Sequence, residues 1–178
     1  MSGTESEVEK LMKEGADEVV EYSRFKSDYQ QQFEELNVKW LKAHGLFEPA
    51  DLICLRHTQE KVIDLGGEVF FAISRQKGEV VGSCAAIPVP GKPVIELGKL
   101  TVAERFQRRG IARKLCDLVL TFAREQGNIH QVVLSSNSAL VGAIHLYESL
   151  GFDHCAAPLD ELTPYQTADV YMMMRLTT

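Results

Sequence analysis

The stretch Val102-Ala-Glu-Arg-Phe-Gln-Arg-Arg-Gly-Ile-Ala-Arg-Lys-Leu115 decides how this chain is read. A strand pattern ends at Val102, a basic loop follows, and a helical pattern begins at Gly110. The first backbone N–H groups of a helix have no internal partner and form the positive end of its dipole. A phosphate set there satisfies several donors at once. Gly110 and Ala112 keep side chains small where backbone must approach a ligand, and the arginines add charge that a diphosphate can use. Other phosphate loops are absent, with no GxxxxGK(S/T) and no GxGxxG after a strand. HExxH and GxSxG are missing too, which excludes the common zinc-protease and serine-hydrolase readings.

Around this stretch the charge is uneven. Arg105, Arg108, Arg109, Arg113 and Lys114 place five positive charges in a chain of net charge −6, and without them the rest carries −11. One cationic spot on an acidic molecule suits an anionic ligand at the spot and a cationic substrate drawn to the remainder. It argues against nucleic acid as a partner. A solvated helix start is the plainer reading of the same charges, and composition does not separate the two.

A length of 178 residues with 45% hydrophobic content fits one domain with a genuine core. Residues 1–15 read as an N-terminal extension, loosely ordered or helical, and residues 16–178 as a single domain. No apolar run approaches the ~20 residues a bilayer span needs. The polar, acidic start Met1–Lys10 does not resemble a secretory signal. The expectation is a cytoplasmic protein with no membrane partner. Cys54, Cys84, Cys116 and Cys155 are widely spaced with no CxxC pair, so no metal site is expected. They read as buried reduced thiols, a catalytic thiol being the minority reading.

Strands are expected over Val19–Phe25, Glu68–Ser74, Glu79–Pro88, Val94–Val102, Gln131–Ser135, Phe152–Ala156 and Tyr165–Leu176. Helices are expected over Asp28–His44, less regularly from Pro49 to Ile63, then Gly110–Gln126 and Ala139–Leu150. Antiparallel strands followed by alternating strands and helices indicate a mixed α/β sheet with a parallel portion in its second half. The strand over Val94–Val102 is irregular. Ile95 and Leu97 are apolar at odd positions and Leu100 and Val102 at even ones, so the register must slip between them. Gly98 lies in that gap, where a β-bulge is expected.

Gln107-Arg-Arg-Gly110-Ile-Ala112 matches the Q/R-x-x-G-x-G/A signature of the GNAT superfamily of N-acetyltransferases. The segment from Asn137 through Tyr147 to Gly151-Phe152 resembles that family's second conserved block, in the right order and on the right elements. The resemblance implies a centrally splayed sheet of about seven strands, with acetyl-CoA between two diverging parallel strands. It implies that backbone from Gln107, Arg108, Arg109, Gly110, Ile111 and Ala112 holds the pyrophosphate. The pantetheine arm would run along Leu100, Thr101 and Val102, with Asn137 on its other side. It further implies direct transfer of the acetyl group to an amine, with Tyr147 as the acid that protonates the departing sulfur. Packing among Ile144, Leu146 and Leu150 is the structural alternative for Tyr147.

Glu96 is the expected base for the amine proton, a water chain being the alternative; an ordinary sheet-surface carboxylate or cation-binding group is an equal reading. Glu48 and Asp51 are weighed as binders of a cationic acceptor, and Trp40, Phe47, Tyr165 and Tyr171 as pocket aromatics. His145 and His154 read as surface or packing residues. The acceptor is a small-molecule or peptide amine. A non-catalytic acyl-CoA-binding or sensing domain, and an adaptor with an incidental basic patch, are the competing functions. An unpaired edge strand could support a homodimer.

Overall fold

The computed structural model describes residues 5–15, 19–156 and 164–176, so residues 1–4 of the expected extension lie outside the described residues. Seven strands form one sheet in the order β1-β2-β3-β4-β5-β7-β6. These are β1 (Val20–Arg24), β2 (Glu68–Ser74), β3 (Val80–Pro88), β4 (Val94–Val102), β5 (Gln131–Ser136), β6 (Asp153–His154) and β7 (Val170–Arg175). The helices are α1 (Glu7–Gly15), α2 (Gln30–Ala43), α3 (Asp51–Arg56), α4 (Ile111–Glu125) and α5 (Val141–Leu150). The less regular helical region resolves into α3 and a short π-helical stretch, Gln59–Ile63, before the break at Gly66-Gly67.

The sheet separates two apolar layers. On one face Val8 of α1, Leu115, Leu118, Val119 and Phe122 of α4, and Tyr147 of α5 pack over Ile95, Val132 and Leu134. The α4 residues recur at helical spacing on one stripe, each burial contributing roughly 1.5–3 kcal/mol. On the other face Phe33 of α2 and Leu55 of α3 pack with Phe71, Ile73 and Ala85, Phe33 meeting the Phe71 ring edge-on at 5.5 Å.

Among the described residues only β4 and β5 pair in parallel, with register Val94↔Gln131, Ile95↔Val132 and Glu96↔Val133. Beyond these pairs β4 runs on to Val102 and β5 to Ser136. The two strands therefore part in the middle of the sheet, as the splayed architecture requires. The parallel portion is narrower than the alternation of elements suggests. β7 inserts between β5 and β6 and is antiparallel to both, so those two strands are not neighbours.

The bulge lies where strand parity places it. Ser83 pairs with Thr101 and Ala85 with Gly98, so β4 carries one residue more than β3 over that interval. Lys99 has a φ of 54°, in the left-handed region, at a cost of roughly 1–2 kcal/mol for a side-chain-bearing residue. The slip lets Ile95, Leu97, Leu100 and Val102 all join the α4 layer. The last two expected strands are shorter than their apolar patterns. In particular, residues 164–169 leave the ladder to bond with residues around the cleft described below.

Candidate active site

A buried polar network holds the bulge. Asn37 sits one helical turn from Phe33 on the inner face of α2 and is 1% exposed. Its Nδ2 donates to Phe33 O and Ser83 Oγ, both at 3.0 Å, and its Oδ1 accepts from Thr101 Oγ1 at 2.8 Å. Ser83 Oγ in turn donates to Lys99 O at 2.8 Å. These partners are all internal to the protein, so the network fixes the path of β4 where it leaves β5. Thr101, expected beside the cofactor, is thereby a clamp through its side chain while it lines the cleft with its backbone neighbours.

Two adjoining depressions open where β4 and β5 diverge. Glu96, Lys99, Asp51, Asn137, Tyr147 and Tyr165 face the first. Val102, Gln107, Arg108, Gly110, Ile111 and Ala112 face the second. Trp40, Leu100, Thr101 and Ala143 belong to both, which makes one continuous cleft. Of the residues expected to bind the cofactor or take part in catalysis, from Glu96 to Ala112 with Asn137 and Tyr147 beyond, all but Arg109 meet here. Its guanidinium lies 5.8 Å from the Phe106 ring centroid instead. Arg105 leaves the cationic group as well, pairing with Glu79.

The loop before α4 is shaped to present backbone donors. Arg108 and Gly110 both have left-handed φ, 60° and 78°, an alternation that turns successive N–H groups into a concave anion site. The helical ladder opens with Lys114 N donating to Gly110 O at 3.0 Å. The N–H groups of Ile111, Ala112 and Arg113 precede it and face outward. A Cβ on Gly110 would meet nothing within 4 Å, so nothing in the protein packs against this turn of the loop. Gln107 does not extend into that space: its Nε2 donates to Val102 O at 3.0 Å and ties the loop to the strand.

At the other end, Tyr147 is 6% exposed, with its ring at 6.0 Å from that of Phe152 in an edge contact. Burial pushes its phenol well above the ordinary tyrosine range, and the nearby Cys116 and Cys84 thiols add to the shift. The group therefore stays protonated at neutral pH. It both packs in the α4 layer and faces the cleft. Glu96 is 6% exposed, which removes the reading as an ordinary surface carboxylate.

Asn137 is engaged inside the protein, its Nδ2 donating to Thr167 O at 2.6 Å and its Oδ1 accepting from Ala139 N at 2.9 Å. Of the other weighed residues, Asp51 faces the cleft and is 3% exposed. Trp40 faces it too, stacked on His44 at 4.1 Å. Phe47 lies under Lys42 and Tyr171 donates to Ala168 O, both away from the cleft walls. His154 pairs with Glu148 at the surface.

Lys99 is the site residue that sequence reasoning missed. Its Nζ donates to Asp51 Oδ1 at 2.5 Å and to Tyr165 OH at 2.9 Å. Burial opposes its charge, yet Tyr165 and Asp51 outweigh that effect and hold the ammonium pKa above the ordinary lysine value. Burial likewise pushes the Tyr165 phenol up to about 12, against the pull of Lys99. The signal was legible: a lysine beside Gly98, inside the parity slip of the strand. The thiols are not primed for attack. All four cysteines are free, and burial raises Cys54 to about 11. Among the described residues no cluster could hold a metal ion, and no helix is long and apolar enough to cross a membrane.

The family model for the acetyltransferase (GNAT) family matches residues 22–152, which include the bulged strand, the loop before α4 and Tyr147. The chain belongs to the GNAT acetyltransferase family. It is 38% identical over 86 residues to N-acetyltransferase family 8 member 2 of Rattus norvegicus, a match covering 46% of the chain and 38% of that relative. The chain thus spans well under half the length of the curated relatives it matches. A GNAT acetyltransferase of Staphylococcus aureus Mu50 superposes with a TM-score of 0.81 at 18% identity, over 89% of this chain and 99% of that one. Spermidine N-acetyltransferase of Vibrio cholerae, solved with CoA and spermine, gives 0.65 at 18% identity, over 89% and 96%. The chain therefore has the fold of its family.

Proposed function

We propose that this protein is an N-acetyltransferase that moves an acetyl group from acetyl-CoA directly to a small cationic primary amine in a ternary complex. The observation that carries the reading is the single cleft joining open backbone donors at the start of α4 to a buried Tyr–carboxylate pair, Tyr147 and Glu96. The outward N–H groups of Ile111 and Ala112, with the Arg108 backbone, fit a diphosphate. Leu100 and Val102 line the path of the pantetheine arm, with Asn137 on the facing wall. Asn137 retains a second Nδ2 hydrogen beyond the one given to Thr167.

When bound, acetyl-CoA supplies an acyl group activated as a thioester. The chain's own residues handle the protons. Glu96 receives the proton of the acceptor ammonium, directly or through water, leaving nitrogen with a free lone pair. Tyr147 Oη, kept protonated by its burial, is the donor at the thiol-leaving end. The first depression contains the carboxylates of Asp51 and Glu96 against the single ammonium of Lys99. With an acidic remainder around the site, this balance favours a cationic acceptor. The solved spermidine N-acetyltransferase, in complex with CoA and spermine, supports this choice of acceptor class.

Thiol release from acetyl-CoA across a panel of amines tests the reading. Tyr147→Phe should lower kcat by about 10²–10⁴-fold with the acetyl-CoA KM little changed. Turnover equal to that of the native chain would remove Tyr147 from its role. Glu96→Gln should abolish the acidic limb of the pH–rate profile, and a retained limb would assign the base elsewhere.

A further inference from the structure

The contacts of Lys99 draw three segments together at the acceptor end of the cleft. Lys99 lies at the β4 bulge, Asp51 opens α3, and Tyr165 belongs to the stretch 164–169 that leads into β7. Besides its two hydrogen bonds, Lys99 Nζ sits 5.0 Å from the centroid of the Tyr165 ring. The Lys99 and Asp51 side chains are 8% and 4% exposed. Asp51 Oδ2 accepts the N–H of Glu48 at 2.9 Å. The Glu48 carboxylate accepts the N–H groups of Gln166 and Thr167 at 3.0 and 2.8 Å and the Thr167 hydroxyl at 2.7 Å. From the β5 side, Asn137 Nδ2 reaches Thr167 O. Residues 165–167 are therefore tied to both walls where β4 and β5 have parted.

Resting on the N-acetyl transfer proposed above, we infer that Lys99 is a positioning residue for the acceptor: through Tyr165 it fixes residues 165–167 across the acceptor end, so that the amine is held beside Glu96. A wall set in place beforehand reduces the ordering that acceptor binding must otherwise bring about. The pair with Asp51 makes the arrangement all-or-none, because removing one member strands a buried charge. The left-handed backbone at Lys99 points the same way, since strained residues persist where surrounding contacts over-determine them, often at ligand clamps. A pair that served stability alone would not distinguish the acceptor from the cofactor.

Tyr165→Phe is the informative variant. It keeps the Asp51–Lys99 pair and the ring beneath the ammonium while losing the hydroxyl bond. Lys99→Met strips both contacts and risks misfolding, and Lys99→Arg keeps the charge. Amide hydrogen exchange at Gln166 and Thr167, steady-state kinetics with spermidine, and coenzyme A calorimetry are measured on each folded variant. Tyr165→Phe should speed exchange at both amides about tenfold and raise the spermidine KM by a similar factor. kcat and the coenzyme A Kd should stay within about twofold, and Lys99→Arg should recover most of the native KM. Unchanged exchange at Gln166 and Thr167 would overturn the inference, as would a fall in kcat with no rise in KM. Should spermidine not be acetylated at all, the exchange experiment still decides the role of Lys99, while the acceptor reading fails separately.

Discussion

Replacing Gly110 with alanine separates the backbone site before α4 from its arginines. Gly110 has a φ of +78°, and a Cβ there would meet nothing within 4 Å. The free protein therefore bears only conformational strain, roughly 1–2 kcal/mol, or a fall in Tm of roughly 2–8 °C for a chain of this length. Gly127, just past the end of α4, has a φ of +67° and equally open surroundings, and lies outside both depressions of the cleft. Gly127→Ala is thus a matched control with the same strain. Strain present in both free and bound protein does not change a Kd. If a diphosphate sits on this loop as proposed, an added methyl at position 110 crowds it. Losing one charge-assisted bond costs about 1.5–3 kcal/mol, so the coenzyme A Kd should rise by about 10–100-fold. Thermal melts and calorimetry with coenzyme A on both variants are the assay. Similar melts with affinity lost only in Gly110→Ala would support the site. Equal Kd values in the two variants would refute the reasoning.

The bulge and the acceptor wall give two more tests. Asn37→Ala deletes the centre of the network joining Phe33, Ser83 and Thr101. It should lower stability by about 2–3 kcal/mol, seen as a Tm lower by roughly 5–10 °C, and should weaken coenzyme A binding as β4 loosens; a native-like melt would show the network to be dispensable. The Glu48 carboxylate lies below its ordinary pKa, held there first by the Thr167 N–H against the next-largest effect, burial, with Gln166, the Thr167 hydroxyl and Lys99 adding to the lowering. A depressed folded-state pKa means the interaction is complete above the unfolded carboxylate range and disappears as pH falls through the folded value. The amide NMR shifts of Gln166 and Thr167 should therefore titrate below the ordinary glutamate range, beside the Asp51 and Lys99 groups that face the same wall. Shifts that titrate at the ordinary glutamate value would contradict the contacts to Glu48.

Much of the fold is legible from local pattern. The stripe of Leu115, Leu118, Val119 and Phe122 announces one buried face of α4, and the parity change between Leu97 and Leu100 announces the bulge before any coordinates. The loop from Gln107 to Ala112 is readable because helix starts and glycines obey local rules. What could not be read is set by long-range partners. Residues 164–169 carry the apolar and aromatic content of a strand end, but Glu48, Lys99 and Asn137 draw them out of the ladder. The insertion of β7 between β5 and β6 has no local marker at all. Lys99 and Asn37 did leave signals, a charged side chain inside the parity slip of β4 and an amide one turn from Phe33 on a helix's inner face. Their meaning, however, depends on each meeting a segment dozens of residues away.

Continuous recording of thiol formation from acetyl-CoA, with and without a small cationic amine, tests catalysis by this cleft most directly. The account predicts that thiol appears only when the amine is present, in proportion to N-acetylated product. A protein that binds coenzyme A tightly yet releases no thiol with any amine would contradict it and mark the chain as a binding domain.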